Sequence, residues 1–332
     1  MKEPLRWGIL GTSFISAVMA EAINANEESE IYAVAGRNQD TLAAFAKQHA
    51  ISSTFTDYDA LIQDEHVDIV YIALPNHLHH PFIVKAAEAG KAILCEKSLS
   101  VDMEKTELAL NAVKKHKVFF AEGLMYLNHP FSAAIQHAVA EGKIGKLRSI
   151  NASYSAAISQ FVNPDSKGTL YNLACYPVSL IYRVLQSQLN PQQQQQYDVS
   201  AYGRRGADGN ICEISGLIRY SDDLVVRVHS AEDYGLHPEF TLLGSKGSLT
   251  INSNPWLPTT TNTMTITEYE KTGEQITINA EGDAFYYQVK NIVSAIQQGA
   301  LSLAQPAANI DDSYQIMKLL TTLEHSASFT GN

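Results

Sequence analysis

The stretch GILGTSFIS, residues 8–16, decides the fold: an apolar strand pattern breaks at a glycine and resumes at helical spacing. LRWGIL (5–10) reads as a short apolar strand, and ISAVMAEAINAN (15–26) carries its apolar residues on one helical face. Strand, tight turn and helix in that order make the phosphate-binding unit of dinucleotide folds. In its G-x-G-x-x-G pattern the first glycine makes the turn, the second lets the pyrophosphate approach closely, and the third lets the helix pack. Aligned on Gly11, this chain reads Gly11, Ser13, Ser16, so only the first glycine remains. Serine still offers an N–H and a hydroxyl, and a helix N-terminus attracts anions. An ordinary strand-to-helix turn is the competing reading. Gly11, Thr12, Ser13, Phe14 and Ile15 are the candidates for contact with cofactor phosphates.

Outward from this turn, strand and helix periods alternate. EIYAVAG (30–36), VDIVYIAL (67–74), KAILC (91–95) and KVFFAEG (117–123) read as strands. DTLAAFAKQHA (40–50), DALIQ (59–63), PFIVKAAEAG (81–90) and DMEKTELALNAVKKHK (102–117) read as helices. The continuous apolar run at 67–74 suits a strand buried on both faces. Such alternation implies a doubly wound parallel sheet with right-handed crossovers, an α/β domain over residues 1–123.

From residue 124 to 332 the rhythm changes to an α+β pattern. Helical pieces at 130–141 and 170–186 precede a strand series: YDVSAYGRR, NICEISGLIRY, LVVRVHSAE, EFTLLGS, GSLTIN and TMTITEYEK. The turns SDD and GSKG point to an open, mainly antiparallel sheet. Helices at 284–299 and 309–328 close the chain, and NPQQQQQ (190–196) reads as a solvated loop.

Composition narrows the function. At 332 residues the chain suits two domains, and its formal charge of −11 argues against nucleic acid or an anionic membrane as partner. No apolar run nears the roughly 18 residues of a membrane span. The start, MKEPLRWGILGT, lacks a signal-peptide layout. Cys95, Cys175 and Cys212 share no metal-like spacing, and an odd number is a poor disulfide framework. The expectation is a cytoplasmic protein with buried, reduced thiols.

The end of the second strand bears on the cofactor. NAD sites carry an acid about 20 residues past the loop for the ribose 2′-OH, whereas an arginine accommodates a 2′-phosphate. Here VAGRNQ (34–39) places Arg37 and Asn38 there, with no acid from Ile31 to Gln39. NADP is the expected cofactor, with NAD as the alternative.

YIALPNHLHHP (71–81), LCEKSLS (94–100) and EGLMYLNHP (122–130) together resemble the glucose–fructose oxidoreductase, inositol dehydrogenase and MocA family. KGTLYNLACYPVSL (167–180), EFTLLGSKGSLTI (239–251) and FYYQVKNIVSAIQQG (285–299) continue the resemblance in the family's order. It implies a Rossmann domain followed by a domain whose open sheet serves oligomer contacts, hence a homo-oligomer with a dimer favoured. The CYP around Tyr176 looks most like the dihydrodiol dehydrogenase and glucose–fructose oxidoreductase branches. Four positions depart from the family pattern: Ser98 stands for the proline of E-K-P, Asn172 for an acid, Ala174 for a glycine and Leu127 for an arginine.

The resemblance also implies roles. Lys97 follows a buried strand, where parallel sheets bind ligands, and a lysine there stabilises a developing alkoxide. Glu96 either orients Lys97 or contacts the cofactor ribose. Leu74, Pro75, Asn76 and His79 line the cofactor cleft. Tyr176, in an apolar helical stretch, serves as acid/base for a substrate hydroxyl. A phenol titrates near 10, so that role needs a cation such as Lys97, which could meet it at the domain interface. Tyr126, His129 and Asn172 are candidate substrate contacts, His129 with a structural turn role as the alternative. His77, His79 and His80 lack an acidic partner, and no metal is expected. The implied activity is NAD(P)-dependent hydride transfer at a secondary alcohol or carbonyl of a sugar, polyol or cyclic diol. Ser13, Ser98 and Asn172 favour a competing reading, a non-catalytic dinucleotide-binding sensor. An NAD-assisted hydrolase is a third.

Overall fold

The computed structural model describes residues 3–221 and 223–329. In chain order the first elements are β1 (Leu5–Leu10), α1 (Phe14–Asn24), β2 (Ser29–Ala35), α2 (Gln39–Gln48), β3 (Ser53–Phe55), α3 (Tyr58–Gln63) and β4 (Ile69–Ile72). α4 (His79–Glu88), β5 (Ala92–Cys95), α5 (Met103–His116) and β6 (Phe120–Glu122) follow. All six strands are parallel, in the order β3-β2-β1-β4-β5-β6. This is a doubly wound Rossmann sheet. Its order reverses between β1 and β4, the place where such sheets bind ligands beyond their carboxyl ends.

Continuing, the chain forms α6 (Pro130–Ala140), β7 (Leu147–Ala156), α7 (Thr169–Asn172), α8 (Cys175–Gln188), α9 (Pro191–Gln194), β8 (Asp198–Arg205), β9 (Ile211–Ser221) and β10 (Leu224–Ala231). Next come β11 (Leu236–Gly244), β12 (Gly247–Ile251), β13 (Thr261–Glu268), β14 (Glu274–Asn279), α10 (Ala284–Gln297), α11 (Ile310–Ser326) and β15 (Ala327–Phe329). The second sheet runs β14-β13-β12-β11-β7-β10-β9-β8-β15. It is antiparallel except where β7 meets β10 and β8 meets β15. Helix α8 packs on β7.

The expected division at 123/124 misplaces one segment. Residues through Met125 together with Phe285–Tyr314 form one compact unit, and Tyr126–Ala284 with the residues from Gln315 onward form the other. The reason is apolar burial. Val289, Ile292 and Val293 of α10 join Trp7 and Ile9 of β1 and Met19 and Ile23 of α1 in one core. Each such side chain contributes about 1.5–3 kcal/mol when fully buried.

Two local readings also change. LRSINASYSA (147–156) forms the central strand β7, although its serines and asparagine mask the strand signal. The glutamine tract is no simple loop: Asn190 Oδ1 accepts from Gln193 N and Gln193 Oε1 accepts from Asn190 N, both at 3.0 Å, capping the short α9. The three cysteines are buried and no disulfide joins them. Among the described residues, no helix is long and apolar enough to cross a membrane.

Candidate active site

The phosphate turn is built around Gly11. Its φ of +106° lies in the left-handed half of backbone space, and a Cβ there would stand 2.8 Å from Ala73 O at the end of β4. Only glycine fits. Ser16, at the third glycine position, is buried, and its Oγ accepts from Ser13 N at 3.2 Å and meets Ser13 Oγ at 3.1 Å. The Ser13 amide is therefore committed within the turn, and the Phe14 and Ile15 amides are left for an anion. The first turn of α1 holds no acid to oppose one, and the Phe14 ring is 84% exposed. These features fit a bound pyrophosphate.

At the end of β2, Arg37 is exposed, and no hydrogen bond or ion pair among the described residues holds it. Asn38 is more constrained than expected. Its Oδ1 accepts from Thr41 N at 3.0 Å, capping α2, so only its amide nitrogen is left for a ribose. Thr12 Oγ1 lies 3.5 Å from Thr41 Oγ1, which joins this cap to the phosphate turn.

The ends of β4 and β5 lie side by side, Ile72 pairing with Cys95. Leu74 and Asn76 are buried and Pro75 is half-buried beyond β4. His79 does not line a cleft: it has no exposed surface, and its Nδ1 and Nε2 lie 2.8 Å from Ser98 O and 2.7 Å from Leu74 O. Burial lowers this imidazole to about 4 against the pull of both carbonyls, so near neutral pH the ring is uncharged and donates to one of them. Among the described residues, no group of three His, Cys, Asp or Glu side chains could hold a metal ion.

Glu96 also turns inward. Its Oε1 accepts from Tyr71 Oη at 2.7 Å and its Oε2 from Lys97 N at 3.3 Å. Burial raises this carboxyl, while Lys97 and Tyr71 oppose the rise. Glu96 thus joins the Tyr71 phenol to the backbone amide of Lys97. Lys97 itself is half-buried at the rim, whereas Ser98, Leu99 and Ser100 beyond it have no exposed surface. The Lys97–Ser98 peptide is cis.

Sequence reasoning missed Glu122, which pairs with Cys95 in the sheet register and is 2% exposed. Its Oε1 accepts from Leu99 N at 3.0 Å. Burial pushes it up to about 7; Ser313 and the Leu99 amide favour the ionised form. The carboxylate at the end of the strand in FFAEG was the available signal.

In the other unit, Tyr176 sits in the first turn of α8, 8% exposed. The rings of Tyr154, Tyr126 and Trp256 surround it at centroid distances of 5.4, 5.9 and 6.4 Å. Two expected substrate contacts are buried structural groups instead. Tyr126 has no exposed surface, and its hydroxyl donates to Tyr176 O at 3.1 Å and meets Ser179 Oγ at 2.7 Å. His129 is the N-cap of α6: its Nδ1 accepts from Phe131 N at 3.1 Å, so its Nε2–H faces Gly282 O at 3.2 Å. Asn172, buried at the end of α7, donates to Glu232 Oε2 at 2.8 Å. Glu232, a second residue missed from sequence, is raised chiefly by burial.

Known proteins resemble this chain in both halves. The oxidoreductase family with an NAD-binding Rossmann fold (GFO/IDH/MocA) matches residues 5–124, and the GFO/IDH/MocA C-terminal domain matches residues 132–250. An uncharacterized oxidoreductase of Rhizobium meliloti is 34% identical over 187 residues; the match spans 53% of this chain and 54% of that one. Trans-1,2-dihydrobenzene-1,2-diol dehydrogenase of Macaca fuscata is 25% identical over 77% of this chain and 76% of its own. D-xylose 1-dehydrogenase (NADP(+)) 2 of Haloferax volcanii is 25% identical over 97% of each. KijD10, a 3-ketoreductase from Actinomadura kijaniata solved with NADP, superposes with a TM-score of 0.86 at 23% identity, over 98% of this chain and 99% of that one. The turn at Gly11, the strand-end Glu96–Lys97 and matches to both halves converge on one assignment: this chain belongs to the Gfo/Idh/MocA family of NAD(P)-dependent oxidoreductases.

Proposed function

We propose that the protein is an NADP-preferring dehydrogenase or reductase acting on a secondary alcohol or carbonyl of a sugar, polyol or cyclic diol. The observation that carries this reading is Lys97: an ammonium half-buried at a strand end, its backbone N–H held by an inward-turned Glu96 carboxylate. When bound, the cofactor supplies hydride exchange at nicotinamide C4. Gly11, Thr12 and the Phe14 and Ile15 amides hold its pyrophosphate, and Arg37 meets the 2′-phosphate. Leu74, Pro75 and Asn76 would line the cofactor cleft. Lys97 stabilises the substrate oxygen as charge develops there, and Tyr176 transfers its proton. The names of the diol and xylose dehydrogenases support the substrate class.

The test is a turnover assay with NADP+ and NADPH against aldoses, polyols, ketosugars and cyclic trans-diols. Absence of turnover on all of them, with tight NADPH binding, would favour a sensor. We further propose a cytoplasmic homo-oligomer, with a dimer favoured. Tyr202 is 70% exposed and Leu217 42% exposed on neighbouring strands of the second sheet, apolar surface that a partner subunit would cover. Light scattering reporting a stable monomer at micromolar concentration would refute the oligomer.

A further inference from the structure

The C=O of Ser98 and the N–H of Leu99 belong to one peptide plane, the first one after the Lys97–Ser98 bond. Both of its polar ends are gripped by buried side chains from other elements: Ser98 O lies 2.8 Å from His79 Nδ1, and Leu99 N donates to Glu122 Oε1 at 3.0 Å. The two jaws come from opposite sides in sequence, His79 from the start of α4 and Glu122 from the end of β6. Both residues are almost wholly buried, so little water competes for either bond.

This matters because the residue that follows Lys97 is a serine, with no ring to hold its backbone. Proline fixes φ by its own covalent ring; serine does not. We propose that His79 and Glu122 are positioning residues for Lys97: they clamp the Ser98–Leu99 peptide, His79 in the tautomer that carries its proton on Nδ1 and donates to the Ser98 carbonyl, Glu122 by accepting from the Leu99 amide, and so aim the lysine. The inference rests on the catalytic reading of Lys97 for its consequence, though the clamp stands on its own geometry. Glu122 is itself braced from the C-terminal segment: Gln288 Nε2 lies 3.5 Å from Glu122 O, and Ser313 approaches the carboxyl. Among the described residues, Glu122 Oε2, Ser313 Oγ and Gln288 Oε1 have no hydrogen-bond partner, so Oε1 is the oxygen that holds the turn.

The experiment uses the full chain with Glu122→Leu, which removes the acceptor, and Glu122→Gln, which keeps one. Amide exchange is read by mass spectrometry on peptides covering residues 96–101, with the β1 and β4 peptides as internal controls. Labelling of Lys97 by trinitrobenzenesulfonate and NADPH affinity are measured on the same samples. In Glu122→Leu, exchange in 96–101 should rise about tenfold, the factor for one lost hydrogen bond, with β1 and β4 unchanged. The Lys97 labelling rate should change, NADPH affinity should hold, and kcat should fall by up to about a hundredfold with little movement of KM. Glu122→Gln should restore most of each. If Glu122→Leu does not fold, Glu122→Asp, which withdraws the carboxylate by one methylene, should show the same signature in weaker form. Unchanged exchange across 96–101 in the variant lacking the acceptor overturns the clamp, as does an unchanged Lys97 labelling rate when exchange has risen. Should exchange and labelling respond while Lys97→Met leaves turnover intact, the clamp stands and the catalytic assignment of Lys97 falls.

Discussion

Asn172 Nδ2 donates to Glu232 Oε2 across 2.8 Å, so the amide at the end of α7 is matched to a carboxylate from the end of β10. An aspartate at 172 would meet that carboxylate as an acceptor facing an acceptor. Both groups are buried, and burial already raises Glu232.

Asn172→Asp should therefore destabilise the protein above neutral pH, on the order of 3 kcal/mol, because a buried charge loses its partner. The new carboxyl and Glu232 each hold a proton more tightly when folded than when unfolded. The penalty should thus fade as pH falls below about 5. The double variant Asn172→Asp/Glu232→Gln should recover most of the loss. Urea melts at pH 8 and pH 4.5 check this; equal destabilisation at both values would show that charge is not the cause.

A second pH effect belongs to Glu122, pushed by burial from an ordinary 4.5 up to about 7. Between these values the unfolded chain releases the proton and the folded chain keeps it. The folded state binds more protons, so stability falls as pH rises through that window and the loss is complete above it. At about 1.4 kcal/mol per tenfold in proton affinity, the cost is about 3 kcal/mol. His79, lowered to about 4, slopes the other way between its ordinary value and 4, so the wild-type profile shows only the difference. Glu122→Gln removes one of the two slopes. Its stability relative to the parent should improve by about 3 kcal/mol between pH 4 and pH 8; a flat difference across that range contradicts the assignment.

Cofactor preference turns on Arg37. Losing a charge-assisted hydrogen bond to a phosphate costs about 1.5–3 kcal/mol, so Arg37→Ala should weaken NADPH roughly ten- to a hundredfold and leave NADH unchanged. Calorimetry that finds equal affinities for the two cofactors in the parent protein would remove the basis for this prediction.

Lys97→Met and Tyr176→Phe should each lower kcat by about two to four powers of ten while NADPH still binds, since each removes charge stabilisation or proton transfer and not the cofactor site. Lys97→Met retaining most activity on a verified substrate would leave Glu96 and Lys97 as a structural strand end.

Much of the fold was legible because burial writes itself into short periods. The apolar run 67–74 and the strand–glycine–helix step at Gly11 are local signals, and both stand in the structure. β7 was not legible, since its centre is small and polar and its strand state depends on neighbours β10 and β11 far along the chain. The amphipathic pattern of α10 announces a helix but not the sheet it covers. Site residues divide in the same way. Lys97 is placed by the strand that delivers it, and His129 by the cap it makes with the amide two residues on, whereas the Tyr126 hydroxyl meets Ser179 Oγ, 53 residues away, which no short-range pattern encodes. Glu122 and Glu232 went unread for the same reason: the groups they hold lie 23 and 60 residues away.

The return of α10 to the first core sets an order on biosynthesis. Chains are made from the N-terminus, and early domains commonly fold while later ones are still being translated. Here Trp7, Ile9 and Met19 share their core with Val289, Ile292 and Val293, and with Leu303 and Ala307 beyond them. The Rossmann unit stays open along one apolar surface until residues 285–314 have been made. Cutting the gene after residue 123 would not yield a self-contained cofactor-binding fragment. It would yield one with an uncovered flank, and such a fragment needs Phe285–Tyr314 grafted back to close it.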